Sequence, residues 1–182
     1  MHKREQIKSI FLYCVFIFYV FFLLKLLILS RVPLLEIFSD QRTFHRSINL
    51  IPFNSIREFI FSSSMTIKSF AFSNVVGNIL IFIPLGSYLL LFKKNKRVTT
   101  NLLIIFYISL SVEIIQGLLG IGASDIDDII LNGFGGLIGI LGYKILAFLL
   151  RDEKKVRTVV TILSALGLPV IFYLLFMIRL RL

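Results

Sequence analysis

Three aspartates crowd the stretch Ser124-Asp-Ile-Asp-Asp128, immediately before an apolar run that reaches Leu150. At helical spacing Asp125, Asp128, Asn132, Gly135 and Gly139 follow i, i+3, i+7, i+10 and i+14, so they share one face. Two other apolar runs carry polar pairs in the same way: Asn74 with Asn78, four apart, and Glu113 with Gln116, three apart. Carboxylates and amides set among apolar residues support two kinds of chemistry. Together they can hold a polar ligand by hydrogen bonds. Alternatively a carboxylate (Glu113, Asp125 or Asp128) acts as a general base or ligates a hard divalent cation such as Mg²⁺ or Ca²⁺. No other cofactor is evident, because the single cysteine, Cys14, sits in an apolar run and the two histidines, His2 and His45, form no metal motif. No His, Cys or Ser nucleophile stands beside a plausible base. A phosphate clamp of basic side chains is absent from the apolar runs, which leaves Arg42, Arg46 and Arg57 to supply one.

The elements that position these groups are membrane spans. The chain has 182 residues, 57% of them hydrophobic and 16% charged, with mean hydropathy +0.92. Windows of about 20 residues, the length that crosses ~30 Å of hydrocarbon, give five spans: Ile10–Leu29, Asn74–Phe92, Asn101–Leu119, Ile129–Leu150 and Val156–Ile178. A span must satisfy its own backbone hydrogen bonds, so the expected fold class is all-α, a polytopic helical membrane protein. The first span lacks the short core and small-residue cleavage site of a signal peptide and reads as a retained anchor.

Charge then orients the spans. Lys3, Arg4 and Lys8, then Lys93, Lys94, Lys96 and Arg97, then Arg151, Lys154, Lys155 and Arg157 make eleven of the twenty basic residues, and they fall on alternate segments. The segment between the third and fourth spans has no basic residue and all three aspartates. The positive-inside rule therefore puts the N-terminus in the cytoplasm. The net charge of +10 follows the membrane rather than nucleic acid, and no nucleic-acid partner is expected. Residues 30–73 form the one long outer loop. Within it Ser55-x-x-Glu58 reads as a capping box opening a short helix with Ile56, Phe59 and Ile60 on one face, which suits a segment lying in the headgroup plane or folding back over the bundle.

With this topology Asn74 and Asn78, Glu113 and Gln116, and Asp128 and Asn132 reach similar depth on the outer side from three separate spans. A carboxylate in mid-span costs roughly 2.5–3.5 kcal/mol on insertion scales, so Glu113 should turn inward. Bland readings exist for each piece. Ser124 caps the fourth helix with Asp127 at its third position, Asn74 is a simple cap, and Pro84 with Gly86 is a kink. The glycines at 133, 135, 136, 139 and 142 are then packing alone. Capping does not account for Glu113, Gln116, Asn78 and Asn132, which lie inside spans.

These residues also form an ordered pattern: Asn49-Leu-Ile-Pro-Phe53; Gly77-Asn78 with Phe82, Pro84 and Gly86; Glu113-x-x-Gln116; and Asp125-Ile-Asp127-Asp128-x-x-x-Asn132-x-x-Gly135. It resembles the VanZ-like membrane protein family over residues 49–143. An arginine that the family often carries just before the aspartates is missing here, where the chain reads Gly120-Ile-Gly-Ala-Ser124, so its role does not transfer. The resemblance implies a bacterial cell-envelope protein of the teicoplanin-resistance type. It adds Asn49 to Asn74, Asn78, Gln116, Asp127 and Asn132 as expected ligand-binding positions. The expected organisation is an anchor over residues 1–48, a VanZ-like domain over 49–150 and a last span over 151–182. Two mechanisms stay open: holding or remodelling lipid or a lipid-linked cell-wall precursor at the outer leaflet, or enzymatic action on a lipid-linked precursor. The expected location is the cell membrane, crossed several times, with the polar site outward and the glycine face available to a second copy.

Overall fold

A computed structural model describes residues 2–29 and 45–180. The loop positions Arg31, Glu36, Asp40 and Arg42 lie outside the described residues. The chain falls into two units, Met1–Ser39 with Lys144–Leu182, and Asp40–Tyr143.

The first unit contains α1 (His2–Leu24), which runs on as a π-helical turn over Lys25–Leu29. Leu12, Val15, Tyr19 and Phe22 are buried at spacings of three and four, while Ile10, Tyr13, Ile17 and Phe21 on the other side stay exposed. A helix apolar all round has lipid as its natural surroundings. The last helix, α6 (Glu153–Leu180), belongs to the same unit. It runs beside α1 in the same direction. Lys8 Nζ donates to Thr158 Oγ1 at 2.9 Å and Arg157 Nη1 to Ser9 Oγ at 2.8 Å near one end, and the Phe18 and Phe172 rings meet at 4.6 Å further along.

The second unit holds β1 (His45–Asn49), α2 (Asn54–Phe61), α3 (Met65–Phe92), α4 (Val98–Leu119), β2 (Ile121–Asp125) and most of α5 (Ile126–Leu150). α3 and α5 run parallel, with α4 antiparallel to both. Glycine sets the spacing. A Cβ on Gly135 would lie 2.2 Å from the carbonyl oxygen of Ile79, one on Gly139 2.0 Å from that of Ile83, and one on Gly86 2.1 Å from that of Gly136. Only hydrogen fits there, so the two backbones touch, the arrangement that small residues allow in bilayers. The glycine face expected to receive a second copy is therefore used inside the chain, against α3. Gly133 and Gly142 face open space.

Among the described residues four helical segments are long and apolar enough to cross a membrane: Glu5–Ile28, Met65–Phe92, Val98–Leu119 and Ile126–Leu150. The fold class is all-α as expected. The second span begins nine residues earlier than read, at Met65, so Asn74 is no cap but lies well inside α3. Its hydrophobic run was masked in the sequence by Thr66, Lys68, Ser69, Ser73 and Asn74, which share the first ten positions.

One feature had no counterpart in the sequence reading. β1 and β2 pair in parallel, from His45 against Ile121 to Asn49 against Asp125. α4 stops at Gly120, whose φ of 58° lets its N–H return to the Gln116 and Gly117 carbonyls. Past that turn the backbone has no helix to satisfy it, and the neighbouring strand supplies the partners.

Candidate functional site

The polar groups of α3, α4 and α5 meet at one end of the second unit, at the N-terminus of α5. Asp125 caps that helix: its Oδ1 accepts the Asp127 N–H at 2.9 Å. Its Oδ2 accepts from Asn49 Nδ2 at 3.2 Å, directly across the strand register. Asn49 in turn takes the Ile51 N–H on Oδ1 at 3.2 Å, which turns the chain out of β1. The expected cap, Ser124, instead donates its hydroxyl to the Glu113 carbonyl at 2.7 Å. A Cβ on Gly117 would sit 2.8 Å from Ser124 Oγ, so that glycine clears the approach.

Asp127 serves a different helix from the one it sits on. Its Oδ1 accepts the Phe53 N–H at 2.5 Å and its Oδ2 the Ser55 N–H at 2.7 Å. The carboxylate closes the N-terminus of α2, where free N–H groups and the helix dipole favour an anion. The Ser55–Glu58 capping box is thus not formed, and α2 has no side-chain cap of its own. Glu58 Oε1 accepts from Asn54 Nδ2 on the exposed side. Phe53 adopts φ 65°, a left-handed conformation uncommon for a residue with a side chain, and the bond to Asp127 holds it there. Its own carbonyl starts the helix by accepting the Arg57 N–H. α2 folds back on α3, with the Phe59 and Phe72 rings 5.4 Å apart.

Asp128 faces α3. Its Oδ1 accepts from Asn78 Nδ2 at 2.6 Å and from Asn74 Nδ2 at 3.1 Å, and Asn78 Nδ2 also reaches Asn74 Oδ1 at 3.3 Å. Glu113 faces the strand, with Oε2 accepting the Asp125 N–H at 2.8 Å. Gln116 is buried on the same face of α4. One turn deeper a second polar layer begins, because Asn132 follows Asp128 by four and Ser109 precedes Glu113 by four on an oppositely directed helix. Asn132 Nδ2 donates to Ser109 Oγ at 2.8 Å, and Asn132 Oδ1 is buried with no partner. Ser109 is 0% exposed, and the sequence reading missed it. Its signal was the spacing of four from Glu113.

Every residue expected at the site is therefore gathered in one unit. Asn49, Asp125 and Asp127 fix the loop and α2 to the bundle. Asn78, Glu113, Asp128, Asn132 and Gln116 line the buried interior, with Asn74 half-buried at its edge. Arg57 is exposed on α2. Among the described residues no three His, Cys, Asp or Glu side chains come together as a metal-holding group. For the divalent cation read as an option from the sequence, Asp125 and Asp127 offer oxygens already engaged by protein donors.

A sequence profile of VanZ/LLP1 matches residues 16–148. The chain belongs to the VanZ/LLP1 family. The match reaches back into α1, beyond the residues 49–143 that carried the motif pattern. Among curated proteins it is similar to Protein VanZ of Enterococcus faecium, 31% identical over 115 residues, which are 63% of each chain. The alignment thus spans somewhat under two thirds of that relative's length. No solved structure matches. For a VanZ/LLP1 protein with four membrane-length helices among the described residues, the buried carboxylates and amides are the inside-out pattern of a membrane bundle, polar groups inward and apolar ones outward.

Proposed function

We propose that this protein is a multi-pass protein of the bacterial cell membrane that lowers sensitivity to teicoplanin-type lipoglycopeptides. It does so by holding or remodelling lipid or lipid-linked cell-wall material at a polar junction on the extracytoplasmic side. One observation carries the reading: Glu113, Asp125, Asp127 and Asp128 gather at a single bundle end beside an apolar rim. That rim, Leu50, Ile51, Phe53, Ile60 and Phe61, is exposed, with Phe61 at 75%. An amphiphile has the same two-part surface. The basic Lys93–Arg97 segment stands at the opposite end, where Lys96 Nζ donates to the Leu90 carbonyl and to Tyr143 Oη, and the positive-inside rule makes that end cytoplasmic. Family membership supports the envelope setting. The engagement of Asp125 and Asp127 by N–H and amide donors favours holding over proton abstraction by those two.

An acyl-bearing glycopeptide partitions into the outer leaflet with about 0.8 kcal/mol per buried methylene, so a protein handling lipid there changes how the drug meets its target. The test is paired inhibitory concentrations for teicoplanin and vancomycin in a susceptible Gram-positive host. Wild type should raise the teicoplanin value more than the vancomycin value, and Asp128→Ala should erase the difference at equal membrane abundance. Equal shifts for both drugs, or a shift that survives Asp128→Ala, overturn the proposal.

A further inference from the structure

In the first unit, where α6 begins, Leu150, Lys154, Lys155, Thr158 and Val159 line a hollow of about 340 Å³. Its lining is almost wholly apolar, and Lys154 and Lys155 beside it are exposed. Thr158 ties the hollow to α1, its Oγ1 accepting from Lys8 Nζ at 2.9 Å while donating to the Lys154 carbonyl at 2.8 Å, and Lys8 itself is paired with Glu5 at 3.1 Å. Basic residues outnumber acids along this segment, Arg151, Lys154, Lys155 and Arg157 against Asp152 and Glu153, and Asp152 Oδ1 accepts the Lys154 N–H at 2.8 Å. From Val159 an exposed apolar stripe continues along α6 in steps of three and four residues, to Ile162 and Leu163 and then to Leu166.

We propose that this hollow is a binding site for a phospholipid of net negative charge, its phosphodiester between Lys154 and Lys155 and one acyl chain along Val159, Ile162 and Leu166. Both halves are required by what the hollow offers. A zwitterionic phospholipid matches the stripe without answering two unpaired ammonium groups. Free phosphate answers the charge and leaves the stripe bare. Basic hollows beside membrane helices recognise anionic headgroups in this way, each lysine contributing about fivefold in affinity.

The experiment titrates the purified full chain in a neutral detergent with dioleoylphosphatidylglycerol or dioleoylphosphatidylcholine, counting bound lipid by native mass spectrometry. Wild type should prefer phosphatidylglycerol by at least about tenfold. Lys154→Gln with Lys155→Gln should lose that preference, and Lys155→Gln alone should lose about fivefold, which keeps the test open if the double variant folds poorly. Lys93→Gln with Lys94→Gln, an equal charge change at another segment, should leave the preference intact. Equal affinity for the two lipids overturns the proposal, as does an equal loss in the Lys93/Lys94 control. Full displacement by millimolar inorganic phosphate does so too, by assigning the hollow to a free anion.

Discussion

Asp127 and Asp128 are chain neighbours with separate tasks. Asp127 binds two backbone N–H groups of another helix, and Asp128 binds two amide side chains of α3. Hydrogen bonds to a charged group are worth about 1.5–3 kcal/mol each, and a lost helix cap about 0.5–2. Asp127→Ala should therefore lower stability by about 2–4 kcal/mol, with Asp127→Asn losing less because one oxygen remains. Thermal unfolding in detergent measures this, and amide exchange at Ser55 should accelerate in step. A wild-type melting curve for Asp127→Ala would show that the cap is not carrying α2. The deeper pair calls for a different outcome. Replacing both members of a buried hydrogen bond by apolar groups is nearly neutral, so Ser109→Ala with Asn132→Leu should melt within about 1 kcal/mol of wild type. Asn132→Leu alone strands the Ser109 hydroxyl and should be the less stable of the two.

At the scale of elements, α3 and α5 are held at a distance that admits no side chain. Gly139→Ala drives a methyl into the Ile83 carbonyl, a backbone atom that cannot turn aside, so the helices must separate. Overpacking of this kind costs about 1–3 kcal/mol. Gly142→Ala, three residues on, meets nothing within 4 Å and should be neutral or slightly stabilising, since alanine favours helix over glycine. Comparing the two melting temperatures separates close packing from helix propensity. Equal effects would mean the seam is looser than the backbone approach requires. Ser87 belongs to the same seam, donating to the Gly139 carbonyl at 3.0 Å.

For the whole molecule, the question is which ends face the cytoplasm. In the first unit the bonds of Lys8 and Ser9 to Thr158 and Arg157 place the N-terminus and the start of α6 at one end, as the alternation of basic segments requires. In the second unit the acidic junction and the Lys93–Arg97 segment lie at opposite ends of the helices. With Cys14 replaced, single cysteines at Lys96 and Lys154 should stay unlabelled by an impermeant thiol reagent in intact cells, and one at Ser63 should label. Labelling at 96 but not 63 would turn the polar junction inward and remove the proposed encounter with an outer-leaflet drug.

How much of this was legible follows from the range of the forces concerned. Hydrocarbon thickness and the need to satisfy backbone groups locally act on contiguous residues, so composition and length alone yielded the long apolar helices, though not the polar first turns of α3. Direction reverses from one span to the next, and that brought Asn78, Glu113 and Asp128 to a common depth on paper. The glycine spacing likewise announced a close approach, though not that α3 would take it. What only the tertiary structure decided are bonds between residues far apart in the chain. Asp127 does stand in the first turn of its own helix, where local capping is the nearest use for such a residue. It closes α2 instead, 72 residues earlier, since a desolvated helix start draws the carboxylate that packing brings to it. The β1–β2 pair was hidden for the same reason: neither five-residue segment has a strand pattern, and each is extended only because the other satisfies its backbone.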